Sequence, residues 1–185
     1  MANHCILNYS FPTFGLSVTH DSCQLIKSEF YNLNEKRQPL IGAANELTNQ
    51  IIAQLDAYAK DGHFVFNLPL AINGTEHQQK VWQIMLGLKS GQTLSYGEVA
   101  REIGSAPRAV GGACGKNPLP VFIPCHRIVG SKLSLGGFNS GNIFFNLGIK
   151  QWLLAHEGIL IKELMSSAYN IFSVWFLFLV NCAED

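Results

Sequence analysis

Between Ser95 and Cys114 the chain carries the punctuation of two short helices set against each other. Ser95 has Glu98 three positions later, the pattern in which a hydroxyl and a carboxylate cap each other's backbone N–H groups. This predicts a helix over 96–103. Gly104-Ser105-Ala106 then breaks the periodicity, and Pro107 stands at the first position of a second helix, where its missing N–H costs little. Helix, short glycine turn, helix is a helix-turn-helix pattern. The second helix is unusual in its side chains: Arg108, Ala109, Val110, Gly111, Gly112, Ala113 and Cys114. Ordinary recognition helices read a major groove with long side chains. Mostly small ones suit close approach of the helix backbone to a narrow groove or a sugar–phosphate wall. They suit tight helix–helix packing equally well, and both readings stand.

Around this unit the remaining elements follow from pattern. Residues 18–30 contain short apolar stretches broken at Asp21-Ser22, which predicts a hairpin. Residues 45–59 place Leu47, Ile51, Ile52, Leu55 and Tyr58 at helical spacing, with Asp61-Gly62 ending that helix. Phe64 to Leu68 alternates like a strand before Pro69. Thr75 with Gln78 forms a second capping pattern ahead of a helix over 76–88. The fold class is α/β. Residues 1–72 form a small α/β domain, residues 73–160 a mostly helical domain, and residues 161–185 an apolar extension of unknown role. The stretch Ile171 to Val180 in that extension is too short to span a bilayer, which needs roughly 20 residues.

Charge separates the segments further. The formal net charge of the 185 residues is zero, which argues against a general nucleic-acid coat protein. Residues 80–132 nevertheless carry seven Lys and Arg against two Glu, while both flanks are net acidic. A polyanion would bind the middle of the chain. Five cysteines, an odd number, and a first ten residues without a basic or long apolar stretch point to a reducing cytosol.

One of the five cysteines stands out chemically. Pro124-Cys125-His126-Arg127 follows the apolar run Val121-Phe122-Ile123, read as a strand. A thiol reacts as thiolate, and an imidazole base or nearby positive charge favours that form. A dry thiol has a raised pKa, so it needs such a partner. His126 is the candidate base, through water, since neighbours on a strand face opposite ways. Glu157, at the end of an apolar helix, is a candidate orienting carboxylate; a solvent-facing helix-end carboxylate is its plainer reading. Asn117, held out of the α region by Pro118, can tie the helix-turn-helix to the thiol's strand.

These residues resemble a known family. Pro124-Cys125-His126-Arg127-Ile128-Val129-Gly130 is similar to the active-site signature of the O6-alkylguanine-DNA alkyltransferases, the methylated-DNA–protein-cysteine methyltransferases. Gly74-Thr75 with Gln78 to Trp82, Ser95-Tyr96-Gly97, Arg108 to Ala113, Asn117 to Pro120 and Trp152 to Gly158 fall in the family's order. The resemblance runs from about residue 73 to 158. It implies a ribonuclease-H-like N-terminal domain and a winged-helix-like DNA-binding domain. It implies that Cys125 accepts an alkyl group irreversibly from O6-alkylguanine in double-stranded DNA, and from O4-alkylthymine if family behaviour carries over. His126 would activate the thiol through water, oriented by Glu157, with Asn117 as brace. Tyr96 would assist rotation of the target nucleotide, meet its base and give a proton to the departing guanine. Arg108 would fill the gap left by the flipped base. Ser95, Ala109, Gly111, Gly112 and Cys114 would line the minor-groove contact, and Phe138 and Asn139 the substrate pocket. No cofactor or metal is implied, and the expected protein is a cytoplasmic monomer with no membrane and no stable protein partner.

Departures from the family pattern gather near the pocket and the helix packing. His77 stands at a usual phenylalanine, Lys89-Ser90-Gly91 replaces the usual turn, Phe138 a frequent tyrosine and Asn139 a usual serine. The loop over 139–148 is longer than the commonest form. Some members carry a structural zinc, but His4, Cys5, His20 and Cys23 match no compact ligand spacing. Two other readings remain open: a non-catalytic binder of alkylated DNA on the same fold, and a cysteine hydrolase using Cys125, His126 and Glu157.

Overall fold

The computed structural model describes residues 4–135 and 143–160. Phe138, Asn139 and the apolar segment over 161–185 lie outside the described residues. Three strands run as an antiparallel meander: β1 (Cys5–Ser10), β2 (Gly15–His20) and β3 (Leu25–Tyr31). The short β4 (Leu40–Ile41) pairs with β1, giving the order β3-β2-β1-β4. The expected hairpin is the β2–β3 pair, whose turn is fixed by Asp21 Oδ1 accepting from the N–H groups of Cys23 at 2.6 Å and Gln24 at 2.8 Å.

Helix α1 (Glu46–Lys60) buries Leu47, Ile51, Leu55 and Tyr58, the stripe that its spacing predicts. Asn45 caps it through reciprocal bonds with Thr48. Phe64 to Leu68 is not a strand. Its backbone is satisfied by a side chain instead: Gln54 Nε2 donates to Asn67 O at 2.9 Å and accepts, through Oε1, from Asn67 N at 2.8 Å. Only Leu70 bridges the sheet, at Leu25. Alternation alone did not reveal that a glutamine amide would take the place of a neighbouring strand.

The second half is helical. Its helices are α2 (Glu76–Gly87), α3 (Tyr96–Glu102), α4 (Pro107–Cys114) and α5 (Ile143–His156). Thr75 and Ser95 both make full capping boxes, with Gln78 and Glu98. Gly87 is the last residue of α2, so it costs the helix interior nothing. A two-residue parallel ladder joins β5 (Leu94–Ser95) to β6 (Ile128–Val129). This ladder sets the start of α3 beside the chain that leaves Cys125.

The core is continuous across the two halves. Leu16, Val18, Ile51 and Leu55 share one cluster with Val81, Trp82, Met85, Ile123 and Leu153. Trp152 of α5 packs against Phe11 and Phe14 and stacks on His156. Gly62 permits a close approach just past α1: a Cβ there would lie 2.1 Å from the backbone oxygen of His156. His156 Nε2 meets Tyr58 O at 2.6 Å. The end of α5 is thereby pressed against the end of α1, which decides where Glu157 lies.

Candidate active site

Cys125 does not follow a strand. Val121 and Phe122 form a turn, with Val121 at φ +78°, a conformation that costs a β-branched residue on the order of 1–3 kcal/mol. Asn117 holds this turn: its Nδ2 donates to Ile123 O at 2.8 Å, and its Oδ1 accepts from Leu119 N at 3.0 Å. Ile123 N in turn donates to Leu119 O. The apolar run reads as a strand because all three side chains are buried, yet they are buried from a tight loop. Cys125, His126 and Arg127 then form a single 3₁₀ turn.

Cys125 is buried. Burial pushes its thiol pKa up, against the pull of the Asn117 amide, the Lys150 charge and the backbone N–H groups of Cys125 and His126. The resting group is therefore a thiol, and ionising it calls for a base.

The candidate base has a defined orientation. His126 is buried, and its Nε2 lies 2.8 Å from Glu157 Oε1. Glu157 is also buried, not solvent-facing at a helix end, because the Gly62 contact draws the end of α5 inward. Arg127 forks onto the same carboxylate, with Nε to Oε2 at 2.9 Å and Nη2 to Oε1 at 2.8 Å. Tyr58 donates a further bond to Oε1 at 3.0 Å. Burial acts to raise the Glu157 pKa, but His126 and Arg127 outweigh it and bring it down to about 2. Burial lowers the pKa of His126 despite the carboxylate, so the ring is neutral. A carboxylate only accepts, so the neutral ring carries its proton on Nε2. Nδ1 is then the acceptor, buried and without a hydrogen-bond partner among the described residues. Arg127, expected beside the thiol as an activating cation, serves Glu157 instead.

Lys150 supplies the cation that the sequence reading left out. It is fully buried on α5, and its Nζ donates to Ile128 O at 2.6 Å and Leu135 O at 2.7 Å. Its charge acts on both Cys125 and Cys114, and burial brings its pKa down to about 8. Tyr96, at the start of α3, is half-buried with Lys150 Nζ 5.7 Å from its ring centre. Burial and the two neighbouring thiols raise its phenol pKa, so it stays protonated. Cys114, half-buried at the end of α4, is pushed up to about 12, chiefly by burial. The helical register of α5 gave one available signal: Lys150 lies on the same apolar face as Ile149, Leu153 and Leu154, where a cation needs a partner.

The helix-turn-helix is formed by α3 and α4. Its inner face buries Val99, Ala100, Val110 and Ala113. Arg108, Ala109 and Gly112 are exposed, and Gly111 is half-buried against Tyr96. A Cβ at Gly112 would meet nothing within 4 Å. Helix–helix packing therefore does not account for the small residues at Ala109 and Gly112, which leave a flat outer face. Ser95 lies in a neighbouring groove of about 390 Å³ with Arg101 and Lys132. Among the described residues no cluster of His, Cys, Asp and Glu could hold a metal, and no helix is long and apolar enough to cross a membrane.

The sequence description of the 6-O-methylguanine DNA methyltransferase DNA-binding domain matches residues 76–159. The methylated-DNA–protein-cysteine methyltransferase of Mycobacterium leprae is 43% identical over 94 residues, which are 50% of this chain and 57% of that protein. The constitutive enzyme of that name from Bacillus subtilis is 37% identical over 139 residues, 74% of this chain and 78% of the relative. The crystal structure of Mycobacterium tuberculosis OGT in complex with DNA aligns with a TM-score of 0.67 at 30% identity, covering 82% of this chain and 91% of that one. That architecture is an N-terminal sheet domain followed by a helical DNA-binding domain, as the residue pattern predicts. Since the likeness to the Bacillus subtilis protein takes in more than three quarters of that protein's length at 37% identity, this chain belongs to the methylated-DNA–protein-cysteine methyltransferase family.

Proposed function

We propose that this chain repairs DNA by direct reversal, moving one alkyl group from O6-alkylguanine in double-stranded DNA onto Cys125, once per molecule. The observation that carries this reading is the placement of a buried thiol, with an oriented imidazole beside it, behind the exposed small-residue face of α4. A turnover catalyst has no need of that face.

In this reading α4 lies in the minor groove, with Ala109, Gly111 and Gly112 near the sugar–phosphate walls and Ser95 and Cys114 at the margins. The target atom sits inside the base stack, so the nucleotide must leave it at a cost of a few kcal/mol. Arg108 takes the vacated place, where its guanidinium stacks on neighbouring bases. Tyr96 meets the extruded base. His126 Nδ1 takes the thiol proton through water, and Glu157, kept ionised by Arg127, stabilises the imidazolium that forms. Cys125 Sγ then displaces guanine from the alkyl carbon. The carbon–oxygen bond breaks, a thioether forms, and guanine departs with a proton from the Tyr96 phenol. The His126 imidazolium then returns its proton through water to the Tyr96 phenolate, so that in net the proton given up by the thiol is the one gained by guanine. Once alkylated, the sulfur has no leaving group to shed, so the protein is spent.

Residues 1–72 serve as scaffold in this account and residues 73–160 bind and react, in a monomer acting in the cytoplasm. Titration with duplex DNA carrying a labelled O6-methyl group tests it. One label per protein with no further turnover is the expected result. Continued turnover would identify a hydrolase, and DNA binding without label would identify a non-catalytic binder.

A further inference from the structure

Helix α2 holds α4 at both ends. Trp82 Nε1 donates to Ala113 O at 3.0 Å, near the last turn of α4. Five residues earlier on α2, His77 Nε2 and Ser105 Oγ share a hydrogen bond of 2.8 Å. Ser105 lies in the turn that enters α4, directly after Gly104 at φ +63°. Among the described residues the entry has no other side-chain hydrogen bond: Ala106 is the N-cap and offers none. Such a helix start is ordinarily held by a Ser, Thr, Asp or Asn at the cap. Here the hydroxyl sits one residue too early to cap α4 and is taken by His77 instead.

We propose that His77 is a positioning residue for Arg108, acting through Ser105. The two bonds from α2 fix α4 like a splint, one at each end. Arg108 stands three residues beyond Ser105, in the first turn of α4, so movement of the turn is movement of Arg108. The Trp82 bond anchors the far end and leaves the near end dependent on His77. The inference rests on the DNA-repair reading above, because it concerns the step in which Arg108 enters the duplex.

The test compares two substrates. One is duplex DNA with a labelled O6-methylguanine; the other is a five-nucleotide single strand with the same base, which needs no extrusion from a duplex. His77→Phe keeps a ring of similar size and removes the hydrogen bond. We expect transfer from duplex to slow about three- to tenfold, the range for one lost neutral hydrogen bond, while transfer from the short strand is unchanged. Ser105→Ala should match it, and the double variant should be no slower than either single one. His77→Gln, which can still reach Ser105, should restore the duplex rate. Unchanged duplex transfer in His77→Phe, or equal losses on both substrates, would overturn the positioning role. Failure of the unaltered protein to take label from either substrate would instead count against the repair reading itself.

Discussion

Glu157 Oε1 lies 2.8 Å from His126 Nε2 across thirty-one positions of sequence, with both side chains buried. The contact exists because Gly62 lets the end of α5 close on the end of α1. It fixes the tautomer of His126 and leaves Nδ1 as the ring's acceptor, the atom proposed to take the thiol proton.

Glu157→Gln separates that role from simple stability. The folded-state pKa of about 2 lies below the ordinary 4.5. Glu157 therefore stabilises the fold fully above pH 4.5, and the contribution is lost as pH falls from there towards 2. The amount is about 3 kcal/mol for a shift of this size. Acid denaturation followed by circular dichroism should show a shallower loss over that window in Glu157→Gln, from a lower starting stability. Its alkyl-transfer rate at neutral pH should fall about 10²-fold, because His126 loses the carboxylate that orients it as general base and stabilises its imidazolium.

Asn117→Ala takes the partner from Leu119 N and removes one of the two bonds to Ile123 O, which keeps the N–H of Cys125. Leaving the buried Leu119 N unpaired should cost about 1–3 kcal/mol, read from urea unfolding. The amide also favours the Cys125 thiolate. The pH at which transfer reaches half its maximum should therefore move up.

Lys150→Met tests the buried cation. Its charge favours the thiolate and is lost in the unaltered protein as pH rises through about 8. The transfer rate of the unaltered protein should rise with pH below that point and gain less above it. In Lys150→Met the rate at pH 7 should be about tenfold lower, with the rise displaced upward and no break near pH 8. A stopped-flow series from pH 6 to about 10 reads both.

Arg108→Ala leaves the outer face of α4 otherwise intact. Affinity for undamaged duplex should fall by less than about tenfold, since one phosphate-range charge is lost among several. Transfer from duplex should slow by about 10²-fold or more, because nothing then fills the vacated stack. Filter binding and single-turnover kinetics on one preparation distinguish the two effects.

Much of the helical half was legible before any coordinates. Thr75 and Ser95 announce their helices because capping is local: donor and acceptor lie three residues apart. The hairpin, expected over 18–30, was legible for the same reason, as its turn is closed by Asp21. Long-range satisfaction was not. Phe64 to Leu68 and Val121 to Ile123 both look like strands, but Gln54 and Asn117 supply the partners that a ladder would have given. Arg127 looked like the thiol's cation because it is adjacent in sequence. Its partner is thirty residues away, and the cation that faces the thiol, Lys150, is twenty-five residues from it on another helix. Charged groups in a core are placed by folding, and spacing along the chain carries little of that.

Cys125 is itself the proposed acceptor of the alkyl group. Intact-mass spectrometry after exposure to duplex DNA containing O6-methylguanine tests this most directly. The unaltered protein should gain one methyl, located on Cys125 by peptide mapping, and Cys125→Ala should gain none. A Cys125→Ala protein that still gains the methyl, or an unaltered protein that consumes the lesion without changing mass, would contradict the account.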